Sequence, residues 1–290
     1  MVARKQISVS EASPIRAAVP AGVAPALPVV PPMTDLPIGP LVLHATGYGP
    51  PLVLLHGLGC DHGFWDFAAP LGDAFRVVFY DLPGHGTTPV PAEPYGVEDL
   101  SQQLADLFRA QHIGRAHVAG ISLGGLVAQH FAAHFPALVD RLVLIDTIPR
   151  YTAEMRTLWT ERAAAARQHG VAALVEGLLP IWFSDAAIAA DIAGVRYLRA
   201  ALTRTPAEGY ALACEALAAA DLLAEAPRIA APTLVLCGSD DRAAFVEAAH
   251  WLAATIPNAR ADVIPGTRHA SVLERPDLAL PLLREFLGGE

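Results

Sequence analysis

The chain of 290 residues carries 29 acidic against 20 basic side chains, a net charge of −9, with 53% hydrophobic residues and a mean hydropathy of +0.38. That length buries a large core as one α/β domain or two small ones, while the acidic balance excludes a surface built for a phosphate backbone. No stretch runs eighteen apolar residues without a charge or a proline, which excludes a membrane-spanning helix, and Cys60, Cys214 and Cys237 are too few and scattered for a disulfide framework or a zinc knuckle.

Residues 1–33 hold Pro14, Pro20, Pro25, Pro28, Pro31 and Pro32 with neither helical nor alternating patterning. They are expected to form a flexible or polyproline-like arm. The prolines interrupt the apolar core that a secretory signal needs, so a cytoplasmic location is expected. Leu41 to Ala45 reads as an edge strand, followed by a turn at Gly47-Tyr48-Gly49-Pro50. Leu52 to Leu55 is a continuous apolar run, as in a strand covered on both faces, and it ends in His56-Gly57-Leu58-Gly59. Phe75 to Tyr80 is the next buried strand. It leads into Asp81-Leu82-Pro83-Gly84-His85-Gly86-Thr87, where Asp81 can accept from nearby backbone N–H groups and brace the loop. From Glu98 to Gln111 the spacing of Leu100, Leu104, Leu107 and Phe108 predicts an amphipathic helix.

Gly120-Ile121-Ser122-Leu123-Gly124-Gly125 organises the rest of the chain. The apolar run Ala116 to Ala119 precedes it as a strand and Leu126 to Phe135 follows it with helical spacing, so Ser122 is placed on a strand-to-helix turn, the setting of a nucleophile elbow. Such a turn brings strand and helix so close that Gly120 and Gly124 are needed on sterics alone. The helix that follows points free N–H groups and its positive end at the place where an oxyanion would form.

Arg141 to Asp146 is another strand. No strand is apparent from about residue 149 to 226, where Ala- and Leu-rich helical stretches are punctuated by Gly170, Pro180, Gly194 and Pro206; this segment reads as a lid over an active site. Trp182 and Phe183, after Pro180, are the pair expected against a substrate. The sheet resumes at Thr233 to Cys237 and Ala261 to Ile264, with helices over 243–255 and 277–287. The expected fold is therefore α/β: a doubly wound, mostly parallel sheet from 34–148 and 227–290, with a helical lid, 149–226, inserted after the sixth strand. Ligands of such sheets bind at the carboxyl ends of the strands, which is where Leu58, Ser122, Asp241 and His269 fall.

A serine hydroxyl needs an adjacent base near neutral pH, and histidine suits that task. Among eleven histidines, His269 follows the last strand in Pro265-Gly266-Thr267-Arg268-His269. Gly238-Ser239-Asp240-Asp241 offers two carboxylates to orient it, and Asp146 at the end of an earlier strand is a third. No histidine pair is expected at helical ligand spacing with a third ligand nearby, so neither a metal nor another cofactor is expected. Cys60 has no base at a defined spacing and is expected to line the loop.

From about Leu36 to Leu287 the sequence resembles the α/β-hydrolase superfamily, on His56-Gly57, Asp81-x-x-Gly84-x-Gly86, Gly120-x-Ser122-x-Gly124, Gly238-x-x-Asp241 and His269 in that order. The resemblance implies Ser122 as nucleophile, Asp241 rather than Asp240 as the acid, and the backbone amides of Leu58 and Leu123 as oxyanion donors. Within the superfamily the chain is most similar to the 3-oxoadipate enol-lactonases, on Leu58-Gly59-Cys60-Asp61, Trp65-Asp66, Thr147-Ile148-Pro149-Arg150, Trp182-Phe183, Thr205-Pro206-x-x-Gly209-Tyr210 and His269-x-Ser271-x-x-Glu274. It departs from them in its proline-rich arm, in Cys60 where threonine is usual, in Val272-Leu273 and in Asp146. The resemblance implies a small-molecule lactone bearing a carboxylate, held by a cation near the lid, with Arg150 the first candidate and Arg268 the second. The alternatives are a general carboxylesterase or perhydrolase of the same fold, or a non-catalytic protein that captures a ligand in the same pocket.

Overall fold

The computed structural model describes residues 29–33 and 41–289; the remainder of the proline-rich arm lies outside the described residues. The strands are β1 (Val29–Met33), β2 (Leu41–Thr46), β3 (Pro51–Leu55), β4 (Arg76–Tyr80), β5 (Ala116–Ile121), β6 (Val139–Ile145), β7 (Thr233–Gly238) and β8 (Ala259–Ile264). They form one sheet in the order β1-β2-β4-β3-β5-β6-β7-β8. The pairs β1/β2 and β2/β4 are antiparallel and all later pairs are parallel. Every residue of β5 and β7 is buried, as the unbroken apolar runs require of strands covered on both faces. Edge strand β8 is at least partly exposed at every position except Ile264.

Between strands run α1 (Val97–Ala110), α2 (Leu123–His134) and α8 (Ala243–Thr255), and α9 (Ser271–Glu274) and α10 (Pro276–Gly288) follow the last strand. Helix α1 packs on α2, α2 on β5 and β6, and α8 on β7 and β8. Between β6 and β7 the chain is helical: α3 (Ala153–His169), α4 (Val175–Trp182), α5 (Asp185–Ala189), α6 (Ala193–Arg204) and α7 (Ala207–Ala219). Thr152 caps α3 by accepting from the Met155 amide, and α3 packs along α7. No helix among the described residues is long and apolar enough to cross a membrane.

One expectation needs correcting. Val29–Met33, the end of the stretch expected to be a flexible arm, pairs with β2 as an added edge strand. The register shifts between Val30 and Met33, across Pro31 and Pro32. Proline cannot donate to a ladder, so it is tolerated only on an edge or at such an irregularity.

Candidate active site

Ser122 joins β5 to α2 with φ 51° and ψ −111°, a left-handed backbone rare for a residue with a Cβ. Its neighbours hold it there. The Ser122 amide donates to the Ile145 carbonyl at 3.0 Å, and the Thr147 hydroxyl donates to the Ser122 carbonyl at 2.9 Å. A Cβ on Gly120 would stand 2.2 Å from the Gly124 carbonyl oxygen, and one on Gly124 would stand 2.4 Å from that of Leu55. Both contacts are impossible, so the crossing of strand and helix accepts glycine alone.

The loops after β7 and β8 deliver two side chains to this turn. His269 Nε2 lies 3.1 Å from Ser122 Oγ, and His269 Nδ1 lies 2.8 Å from Asp241 Oδ2. With Nδ1–H donating to the carboxylate, Nε2 is free to accept the serine proton. The second carboxylate oxygen, Asp241 Oδ1, accepts from the Arg242 amide at 2.7 Å. Ser122, His269 and Asp241 are 3%, 6% and 8% exposed, so the line of groups is nearly dry. Burial opposes a charge on His269, but the Asp241 carboxylate outweighs it and the imidazole's pKa is raised above its ordinary value. Phe245 and Trp182 meet the imidazole edge-on, with centroids at 4.6 and 5.4 Å.

On the opposite flank of Ser122 lies the loop after β3. Its Gly57 is so near that an added Cβ would be 3.5 Å from Ser122 Cβ. The Leu123 amide belongs to the first turn of α2, where a helical N–H has no acceptor of its own. The Leu58 amide makes no backbone hydrogen bond among the described residues. Both are thus available to a developing oxyanion.

The model of the Alpha/beta hydrolase family matches residues 52–280, which includes all of these groups. The chain belongs to that family. It is 32% identical over 239 residues to a 3-oxoadipate enol-lactonase of Acinetobacter baylyi, covering 82% of this chain and 88% of that one. It is 34% identical over 257 residues to a pimeloyl-[acyl-carrier protein] methyl ester esterase of Chromobacterium violaceum, covering 85% and 98%. The crystal structure of the enol-lactonase from Burkholderia xenovorans superposes with a TM-score of 0.82 at 34% identity, covering 86% and 96%.

The other candidate acids in this hydrolase point elsewhere. Asp240 accepts from its neighbour Ser239 at 2.7 Å. Asp146 is fully buried and accepts from the Gly238 amide at 3.0 Å and from the Ser271 amide and hydroxyl at 3.1 and 2.7 Å. It ties the acid loop to the histidine loop without touching the imidazole. Burial first, then the Asp241 charge, push its carboxyl well above the usual range.

The cleft above Ser122 corrects the choice of substrate-facing residues. Trp182 lines it, but Phe183 is buried in the core. Arg150 pairs with Asp221 at 3.6 Å, and Arg268 binds the Pro180 and Phe183 carbonyls and Asp185; neither lines the cleft. The cations that do are Arg162 and Arg242. Arg162 stands 4.6 Å over the Trp159 ring, and no ion pair engages it among the described residues. Met155, Trp159 and Arg162 reach the cleft from one face of α3. Their spacing of four and three residues was the signal available in the sequence.

The loop after β4 is braced by Asp81, whose Oδ1 accepts from the His62 amide at 2.6 Å and whose Oδ2 accepts from the Thr87 amide and hydroxyl at 2.8 and 2.9 Å. Burial opposes its charge, but the His62 hydrogen bond and the other donors hold its carboxyl well below the usual range. His56 carries the bracing onward, since its Nδ1–H donates to the Gly57 carbonyl and its Nε2 accepts from the Leu82 amide, both at 2.8 Å. Asp81→Ala orphans buried donors and is expected to lower stability by about 3 kcal/mol. Chemical denaturation above pH 5 checks it, because a depressed carboxylate contributes stability above the unfolded value near 3.9 and loses it only as pH falls through the folded value.

Two expectations about reactive side chains change. Ligand atoms of His44, His62 and Asp81 converge within 4.8 Å, as do those of Asp146, Cys237 and Asp241, and His130 and His134 stack one turn apart on α2 with Glu225 near the second. The histidines are therefore less dispersed than their sequence positions suggest. Cys60 is buried among core residues, and burial pushes its thiol far above its ordinary value.

Proposed function

We propose that this hydrolase cleaves a carboxylic ester or lactone through an acyl-enzyme on Ser122. The observation that carries the reading is the unbroken line from Ser122 Oγ through His269 to Asp241. As Oγ attacks the carbonyl carbon, its proton passes to Nε2 and the carbonyl electrons move onto oxygen, where the Leu58 and Leu123 amides donate to it. On collapse, the bond to the leaving oxygen breaks and that oxygen takes the proton from Nε2. Water then attacks the acyl carbon by the same route, and the acid is released. No cofactor takes part, and the helices between β6 and β7 act as the lid that excludes bulk water. The reaction is assigned to the cytoplasm.

An enol-lactone bearing a carboxylate is the substrate favoured, as the names of the enol-lactonase relatives suggest. A cationic Arg162 lining the cleft supports it, because a substrate carboxylate there would gain a charge-assisted partner. The name of the methyl ester esterase relative supports the second reading, an ester of a carboxylic acid. A panel of lactones and esters, each with and without a free carboxylate, separates the two. Arg162→Gln is expected to lower kcat/KM for the acidic lactone by about 10²-fold, the scale of a lost charge-assisted contact, while its neutral counterpart changes little. Equal losses on both members of the pair would remove Arg162 from substrate recognition.

A further inference from the structure

Two cations line the cleft above Ser122, and Arg162 is matched to one substrate carboxylate. That leaves Arg242, which stands at the N-cap of α8 directly after the acid. Its amide donates to Asp241 Oδ1 at 2.7 Å, which fixes its backbone beside the line of Ser122, His269 and Asp241. Its guanidinium enters no ion pair among the described residues, although two carboxylates precede it in the chain. Asp241 is paired with His269 at 2.8 Å, and Asp240 accepts from Ser239. Asp241 is also the one carboxylate in the cleft lining among the described residues. A chain of net charge −9 thus presents two guanidinium groups and no uncommitted anion at its nucleophile.

The two charges act on different ends of the cleft. Arg162, over the Trp159 ring, is felt by Tyr210 and Cys214 on α7, whereas Arg242 is felt by His269. The second placement has a cost. When His269 takes the Ser122 proton it becomes a cation, and the Arg242 charge opposes it, working against the Asp241 and Asp146 carboxylates that favour it. A neutral substrate leaves that opposition in force throughout the reaction. An anion held at the guanidinium offsets it for as long as the substrate occupies the cleft.

We infer that Arg242 is a specificity-determining residue that binds a second carboxylate of the substrate, so that the cleft takes an ester or lactone with two free acid groups, one for Arg162 and one for Arg242. The inference rests on the acyl-enzyme reading and on the role given to Arg162, and extends them to the charge of the substrate. Arg242 takes part in no bond making or breaking. Its guanidinium stays protonated and donates to the carboxylate oxygens, a planar fork meeting a planar acid group. The acid group is thereby held beside the base while Ser122 and His269 carry the chemistry.

Monomethyl esters of butyric, glutaric and tricarballylic acids, which leave none, one and two carboxylates free, test this. The wild type should turn over the third about tenfold better than the second in kcat/KM, the lower end of a hydrogen bond to a charged group because Arg242 is exposed. Arg242→Gln keeps the backbone amide on Asp241 and should erase that advantage. It should also move the acid limb of the kcat/KM profile to higher pH, because a charge that holds the imidazole's pKa down is gone. A wild type that gains nothing from the second carboxylate, a variant that keeps the gain, or an acid limb that stays in place would overturn the inference and leave the acyl-enzyme standing. A wild-type chain that hydrolyses neither these esters nor a lactone bearing a carboxylate would overturn both.

Discussion

Ser122→Ala is expected to abolish turnover, lowering kcat by about 10⁶-fold, the loss seen when a serine nucleophile is removed from a line of this kind. The oxyanion amides and the cleft survive the substitution, so substrate should still bind, and what disappears is the acyl-enzyme. The residue is 3% exposed and its one side-chain hydrogen bond is to His269 at 3.1 Å, so stability should change little. Steady-state assays on the ester and lactone panel, with a fluorophosphonate label followed by mass spectrometry, measure both losses. Hydrolysis that continues at the wild-type rate would place the chemistry on another residue.

Asp241→Asn should cost about 10⁴-fold in kcat with the fold intact, because an amide that donates to Nδ1 selects the wrong imidazole tautomer. It should also move the acid limb of the pH profile. In the wild type His269 acts as a base only when neutral, and its raised pKa means that this form is lost as pH falls through a value above 6.5. Without the Asp241 charge the burial of the imidazole is opposed far less, so the limb should move to lower pH. Asp146 should not rescue the variant. Its oxygens are engaged by the Gly238 amide and by the amide and hydroxyl of Ser271. A pH–rate profile of unchanged shape would show that Asp241 does not set the state of the base.

The elbow was legible because sterics leave it one solution: an apolar strand, glycines at two fixed positions and a helix that begins one residue after the serine. His269 and Asp241 were legible once strand order placed their loops at the same sheet edge. Choosing Asp241 over Asp240 needed the spacing of a resembling family, since two adjacent carboxylates on a turn look alike until the backbone aims one of them. The cleft was harder to read. Arg150 and Arg268 stand beside motifs in the sequence, but in the fold both are turned to the surface and paired. Arg162 shares one face of α3 with Met155 and Trp159, a spacing visible in the sequence, but that this face meets the cleft is settled only by the packing of α3 along α7. Strand β1 was hidden for the converse reason. Two prolines argue against a central strand, and only pairing at an outer edge makes room for them.

The backbone carbonyl of Trp182 accepts from the Ala270 amide at 2.8 Å, Glu274 binds the Ser184 amide, and Arg268 reaches the Pro180 carbonyl. These stitches fasten the end of α4 to the segment that holds the imidazole. A movement of the end of α4 would therefore pull on the residues that keep the imidazole in line with Ser122.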